Sequence, residues 1–319
     1  MHFNLDRFQK EAMEFAEKGY SVIVSAPTGS GKTKIAEYVI EQSIKEGDGA
    51  IYTAPIKALS NQKFRDFQKL YGNNVGILTG DVSINPNADI LIMTTEIYRN
   101  TLFEKNSAKL ERKKWVIFDE IHYIDNLERG TVWEESIIFS PPQIRILALS
   151  ATIPNIRQLA SWIQSIRKEE IKTVIEHKRP VPLVHKFQCA NKIHDNLKSL
   201  SICYSNFPQK RKRKSHYFKK SFPKNRTFDL LQVIQLNSDL PCIFFSFGRK
   251  RCEELAEKSG KINFLNENER KKITELYKYL LTRMNISSDR TAQKIFHLIK
   301  RGIAYHHAGM LPSLKEAIE

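Results

Sequence analysis

The sequence predicts an α/β protein built on a doubly wound parallel sheet, and three observations carry that prediction. Short β-branched runs alternate with helical patterns through residues 1–176: SVIVSA, AIYTA, VGIL, ILIM, WVIF and IRILAL. They are apolar almost throughout, as strands covered on both faces of a parallel sheet are. A glycine-rich stretch, APTGSGKT, follows the first run and opens a helical pattern, and an acid pair, Asp119 and Glu120, follows WVIF. Both lie where strands end, which is where open α/β sheets bind ligands.

The elements follow in order. Leu5, Phe8, Ala12 and Phe15 form one stripe of a helix over 6–18, ended by Gly19. Helices over 32–46 and 59–71 separate successive strands and imply right-handed crossovers. RPVPLV, 179–184, breaks the pattern with two prolines. Order resumes near Phe228, where PCIFFSF (241–247) predicts a buried strand and 249–258 the helix after it. Asn266 and Glu269 predict a capping box opening a helix to about residue 281. A helix over 290–300 ends at Gly302, and GIAYHH predicts a further strand. The division is therefore 1–176, a basic linker or insertion over 177–227, and a second domain of the same grammar over 228–319.

Length supports two domains, because 319 residues exceed one comfortable core. No apolar run approaches the ~20 residues of a membrane span, and the amphipathic, acid-bearing MHFNLDRFQKEAMEF is not a signal peptide. Cys189, Cys203, Cys242 and Cys252 form no C-x-x-C pair. They read as scattered reduced thiols of a cytoplasmic protein rather than as disulfides or a zinc cluster.

Charge says more. The net charge is +16, and window 177–226 holds 14 Lys or Arg with Asp195 as its one acid. Its densest part, KRKRKSHYFKK (210–220), sets Tyr217 and Phe218 among the basic residues. One reading is a solvated linker; another is a phosphate-binding segment whose aromatics stack on bases. The two are compatible, since flexible basic segments order on nucleic acid. A nuclear-localisation signal also fits such a run.

The chemistry starts at Ala26, Pro27, Thr28, Gly29, Ser30, Gly31, Lys32 and Thr33, which fit A/G-x-x-x-x-G-K-T. Backbone N–H groups around Gly29 and Gly31 can approach phosphate oxygens because no side chain intervenes. Lys32 reaches the β- and γ-phosphates and the Thr33 hydroxyl can bind Mg²⁺. The competing reading is a chance glycine-rich turn, and the strand before and helix after it decide for an ATP or GTP site. Asp119 and Glu120 alone would more often be a solvated turn. Paired with a phosphate loop, Asp119 becomes a Mg²⁺ holder and Glu120 the group that positions or deprotonates attacking water.

APTGSGKT together with DEIH resembles the superfamily two DExH-box helicases, and the Ski-like branch fits best, the group that includes RNA helicases feeding the exosome. FNLDRFQKEA resembles the family's adenine-side motif, with Gln9 as its glutamine. APIKALSNQKFRDF (Pro55, Lys57), TGD (Thr79, Gly80, Asp81) and MTTEIYRN (Thr94, Thr95) resemble its strand-contacting motifs. LSATIPN, with Ser150 and Thr152, is similar to the motif coupling nucleotide state to nucleic acid. FFSFGRKRCEELA and AYHHAGMLPSLKE, with His307, resemble motifs of the second domain.

The resemblance covers nearly the whole chain and implies two RecA-like doubly wound domains, the second incomplete. It implies ATP and Mg²⁺ as ligands, 3′-to-5′ translocation and strand unwinding. DEIHYIDNLERGTVWEE and RPVPLVH lean towards the exosome-assisting members. Single-stranded RNA is therefore favoured over DNA, with RNA-decay machinery as partner. His306 and His307 make a poor metal pair, since adjacent strand residues point to opposite faces, and no metal beyond Mg²⁺ is implied. The family's threonine-rich motif and its glutamine- and arginine-rich motif, which supplies arginine fingers, are not among these residues. The expectation is an N-terminal fragment that binds ATP–Mg²⁺ and turns it over slowly. Two alternatives stand beside it: a DNA helicase of the same branch, and a nucleotide-gated nucleic-acid binder without useful turnover.

Overall fold

The structure, a computed structural model, describes residues 5–104, 108–206, 225–237 and 239–319. The chain divides into two contact units, Met1–Leu183 and Val184–Glu319. In chain order the first holds α1 (Arg7–Glu17), β1 (Ser21–Ser25), α2 (Thr33–Lys45), β2 (Gly49–Ala54), α3 (Lys57–Tyr71), β3 (Val75–Leu78) and β4 (Ser83–Ile84). It continues with β5 (Ile90–Thr94), α4 (Thr95–Phe103), β6 (Lys113–Phe118), α5 (Gly130–Phe139), β7 (Arg145–Ser150), α6 (Ile156–Arg167) and β8 (Ile171–Ile175). The eight strands form one sheet in the order β4-β3-β5-β2-β6-β7-β1-β8. Every pairing is parallel except β3 with β4.

Burial on both faces explains the apolar runs. Strands β1, β2 and β5 are buried at every position. Val22, Val24, Tyr52, Ile117 and Leu149 pack with α1 to α3 on one face. Ile23, Ile51, Leu91, Val116 and Ala148 pack with α4 to α6 on the other. The one-residue alternation between these two cores is the period of two along a strand. This is the doubly wound α/β architecture that the runs predicted, and all six are strands. Strands β4 and β8 were not predicted. The first has two residues and the second lies at the sheet edge with three of its five positions only partly buried, so neither carries a continuous apolar run.

The first helix follows the predicted stripe. Phe8 and Ala12 are buried, with Leu5 and Phe15 packed against the same core. Asp6 and Gln9 close a capping box at its start, the Asp6 N–H donating to Gln9 Oε1 at 2.9 Å.

The second unit opens with a hairpin, β9 (Phe187–Cys189) paired antiparallel with β10 (Lys192–His194), and then α7 (Leu197–Ser205). It continues with α8 (Thr227–Leu236), α9 (Arg249–Ser259), α10 (Glu267–Arg283), α11 (Arg290–Ile299) and α12 (Pro312–Ile318). The predicted capping box of α10 is present, with 2.9 Å hydrogen bonds in both directions between Asn266 and Glu269. Tyr277, Leu281, Ile295, Leu298 and Leu314 form this unit's core.

Three expectations need correction. PCIFFSF is not a buried strand: it has no ladder partner among the described residues, and Ile243, Phe245 and Phe247 are 80%, 89% and 96% exposed. GIAYHH likewise forms no strand, although Tyr305 is buried. Both runs have strand composition, but β-structure is a pairing property that composition alone cannot supply. The cysteines are not all scattered thiols. Cys189 and Cys203 are joined as a disulfide, while Cys242 and Cys252 are free. Their 14-residue separation hides a spatial adjacency made by the hairpin and α7. The run KRKRKSHYFKK lies outside the described residues. Among them, no helix is long and apolar enough to cross a membrane.

Candidate nucleotide site and strand-end motifs

After β1 the chain turns through residues 26–32 into α2. Gly29 and Gly31 take φ of +82° and +81°, the left-handed region where side chains are strained. A Cβ on Gly31 would also stand 2.7 Å from Gln9 Nε2. Gln9 is buried and braces this turn, its Nε2 donating to the carbonyls of Gly31 (3.1 Å) and Ser30 (3.3 Å). Lys32 Nζ donates to the carbonyls of Ala26 (2.7 Å) and Pro27 (3.0 Å). Burial lowers its pKa, while the Glu120 and Asp119 carboxylates push it back up. Thr28 is exposed, and Thr33 opens α2 with its hydroxyl accepting from Lys63 Nζ at 3.1 Å.

The acid pair emerges where β6 ends. The Asp119 N–H donates to the Thr53 carbonyl (3.0 Å), and the Tyr52 hydroxyl donates to Asp119 Oδ2 (2.5 Å). Glu120 holds φ 54° and ψ 47°, a left-handed conformation costing a non-glycine residue about 1–2 kcal/mol. It leads directly into a 3₁₀ turn, Ile121–Asp125. Burial first, and the neighbouring Asp119 charge second, raise the Glu120 pKa; His122, Lys32 and Lys63 oppose them. His122 Nδ1 lies 3.2 Å from Glu120 Oε2 but makes no hydrogen bond to it, so both atoms are buried without a hydrogen-bond partner among the described residues.

Ser30 Oγ and Ser150 Oγ are likewise buried and unpartnered. Orphaned oxygens in a loop of amide donors, a lysine and two carboxylates form a donor set that fits a nucleotide phosphate with Mg²⁺. β1 is tied here to the end of β7. The Ala26 N–H donates to the Ser150 carbonyl (3.1 Å), and Ser25 Oγ bridges the Ala151 carbonyl and the Ile153 N–H at 3.4 Å each. Thr152 between them is exposed.

The remaining motif residues of this unit gather at the same end of the sheet, after β2, β3 and β5. Pro55 is buried, and Lys57 contacts the Asp81 carboxylate next to Gly80. Thr79 closes a turn on Val82, both by backbone (2.8 Å) and by its hydroxyl (3.2 Å). Thr94 caps the step into α4, where Thr95 Oγ1 donates to the Ala54 carbonyl at 3.4 Å. Arg129 binds these pieces together: it contacts Glu96, donates to the Pro55 carbonyl at 2.7 Å, and lies 5.8 Å over the Trp133 ring. Beside it Gly130 leaves no room for a side chain, because a Cβ would meet the Ile124 carbonyl at 2.2 Å.

His307 belongs to the second unit. The Gly309 N–H donates to its Nδ1 (3.2 Å), so Nε2 carries the proton and donates to Glu253 (3.0 Å). Its ring stacks on Tyr305 at 5.7 Å, whereas His306 faces Glu319. The two histidines turn to separate partners.

Tyr52, Lys63 and Arg129 escaped the sequence reading. Tyr52 sits in an apolar run and reads as core, while Lys63 and Arg129 look like ordinary surface charges until the fold places them.

Residues 6–159 match the family model for the DEAD/DEAH box helicase. The chain is 38% identical over 339 residues to the DExH-box ATP-dependent RNA helicase DExH9 of Arabidopsis thaliana, covering 99% of this chain and 34% of that protein. It is 39% identical to the Exosome RNA helicase MTR4 of Homo sapiens, covering 99% and 32%. With the Superkiller complex protein 2 of Homo sapiens it shares 38% identity, covering 99% and 27%. The chain thus spans about a third or less of the length of these curated relatives. The crystal structure of the DUF1998 helicase MrfA is similar in fold, with a TM-score of 0.56 at 17% identity over 86% of this chain and 42% of that one. The phosphate loop, the DEIH pair and the strand-end motifs all fall within residues 6–159, and with these likenesses the chain belongs to the DEAD/DEAH box helicases, and within them to the Ski-like group.

Proposed function

We propose that this chain is the ATP-using part of an RNA helicase, coupling ATP binding and hydrolysis to 3′-to-5′ movement along single-stranded RNA. The observation that carries the reading is the meeting of Lys32 with Asp119 and Glu120 around buried, unpartnered oxygens at one end of the sheet. The amides around Gly29 to Gly31 and the Lys32 ammonium hold the β- and γ-phosphates, exchanging the Ala26 and Pro27 carbonyls for phosphate oxygens. Gln9 serves the adenine side while it braces the loop. Thr33 and Asp119 would hold Mg²⁺, which when bound neutralises charge on the transferred phosphoryl group. Glu120 Oε2 takes the proton of the attacking water, and Tyr52 keeps the adjacent Asp119 in place.

RNA is preferred to DNA because relatives that match 99% of the chain are named as RNA helicases, one of them an exosome helicase. Residues 1–176 hold the nucleotide, 177–227 form a basic linker or insertion, and 228–319 begin a second RecA-like domain, with His307 on its nucleic-acid side. Pro55, Lys57, Thr79 to Asp81, Thr94 and Thr95 grip the strand, and Ser150 and Thr152 relay nucleotide state to them. We place the protein in the cytoplasm with RNA-decay machinery as partner. The 319 residues carry no glutamine- and arginine-rich motif, and finger arginines are worth about 10³–10⁵ in kcat, so turnover by this stretch alone is weak.

The test is ATP hydrolysis by this chain with single-stranded RNA or DNA of the same length. RNA is expected to stimulate it more than DNA. Equal stimulation sinks the RNA assignment, and strong turnover sinks the claim that arginine fingers are missing. Replacing Lys210, Arg211, Lys212, Arg213 and Lys214 by glutamine should weaken RNA binding and flatten its dependence on salt, since fewer counterions are released. An unchanged salt slope leaves that run as a linker.

A further inference from the structure

We propose that, in the reduced protein, zinc held by Cys189, His194 and Cys203 replaces the Cys189–Cys203 disulfide and staples the root of the basic stretch. One ligand atom from each of the three lies within 4.8 Å of the other two. Cys189 ends β9 and His194 ends β10, joined by a two-residue turn in which Ala190 and Asn191 both take positive φ, +52° and +63°. That turn is the type that folds a hairpin tightly. Cys203 comes from α7, which packs on the hairpin.

His194 decides between a disulfide and a metal. Its Nε2 is buried with no hydrogen-bond partner among the described residues. A bond between Cys189 and Cys203 consumes both sulfurs and leaves that nitrogen orphaned. A tetrahedral zinc takes both sulfurs and an imidazole nitrogen, with Zn–S of about 2.3 Å and Zn–N of about 2.0 Å, which sets the ligand atoms about 3.5–3.8 Å apart. Two thiolates and an imidazole select zinc over the hard cations. Water completes the fourth position. Binding is not a redox step: the two thiols of the reduced protein release their protons to solvent as the Zn–S bonds form.

The local fold needs such a link. Helix α7 has no buried residue, and three-residue strands do not make a stable hairpin unaided. Asn225 bridges to the same place, donating to the Gln188 carbonyl (3.0 Å) and accepting from the Asn191 N–H (3.2 Å). Residues 207–224, which include KRKRK, therefore start after the stapled helix and end at the stapled hairpin.

The untagged 319-residue chain, kept reduced with a phosphine, is loaded with zinc, desalted and analysed by elemental mass spectrometry. About one zinc per chain is expected, also in the Cys242→Ser/Cys252→Ser variant, and at least about nine-tenths of it lost in Cys203→Ser and in His194→Ala. His194→Ala keeps both thiols, and far-ultraviolet circular dichroism checks that it has folded. Cobalt in place of zinc should give sulfur-to-metal charge-transfer absorption that Cys203→Ser removes. Three results overturn the proposal. One is a chain isolated without the phosphine that holds no zinc and titrates only two thiols in denaturant, which is a disulfide. Another is no zinc with four titrating thiols. The third is zinc that survives His194→Ala undiminished.

Discussion

Replacing Lys32 by alanine abolishes ATP binding by this chain without unfolding it. The ammonium lies against the loop of Gly29 and Gly31, held there by two loop carbonyls. Truncating one partner of a partly buried charge pair costs on the order of 2–5 kcal/mol, or roughly thirty- to several-thousand-fold in Kd. Folding feels two opposed effects: the carbonyls of Ala26 and Pro27 lose their donor, but a desolvated charge is also removed. Calorimetric titration with ATP should therefore show binding lost while Tm stays within about 3 °C of the parent. A large drop in Tm would mean the lysine is chiefly a structural clamp.

Replacing Glu120 by glutamine gives the opposite split. Turnover in the presence of RNA should fall by about 10²–10⁴, the contribution of a positioned general base. ATP affinity should hold or improve, because a neutral amide beside the γ-phosphate removes a like charge. Stability should hold as well, since burial and Asp119 both disfavour the charge that is removed. Single-turnover hydrolysis and nucleotide binding, measured on the same preparation, separate these outcomes. Full turnover in Glu120→Gln would move the base elsewhere, and His122, 3.2 Å away, would be the first candidate.

What was legible in the sequence follows from where each signal comes from. Ile23, Ile51 and Leu91 face one core and Val22, Tyr52 and Ile92 the other, so their strands show as unbroken apolar runs. The phosphate loop was legible because its glycines answer a backbone requirement that few other residues meet. Glu120 was legible by type but not by its left-handed backbone. Tyr52, Lys63 and Arg129 acquire their roles only when separate strand ends are brought together, and no local spacing encodes that. The same limit explains PCIFFSF, whose composition is that of a strand while its pairing lies beyond local control, and Cys189 with Cys203, neighbours only through a hairpin and a helix.

The order of strands has a consequence of its own. From the end of β1, where the phosphate loop begins, to the end of β5, where Thr94 sits, the sheet passes through β7, β6 and β2. Four strand spacings of about 4.8 Å set those two places roughly 19 Å apart. That interval is a ruler made of backbone hydrogen bonds, and no side-chain substitution can lengthen or shorten it. Loops at either end can change residue by residue, while the gauge between the phosphate loop and the strand-end motif at Thr94 stays the same.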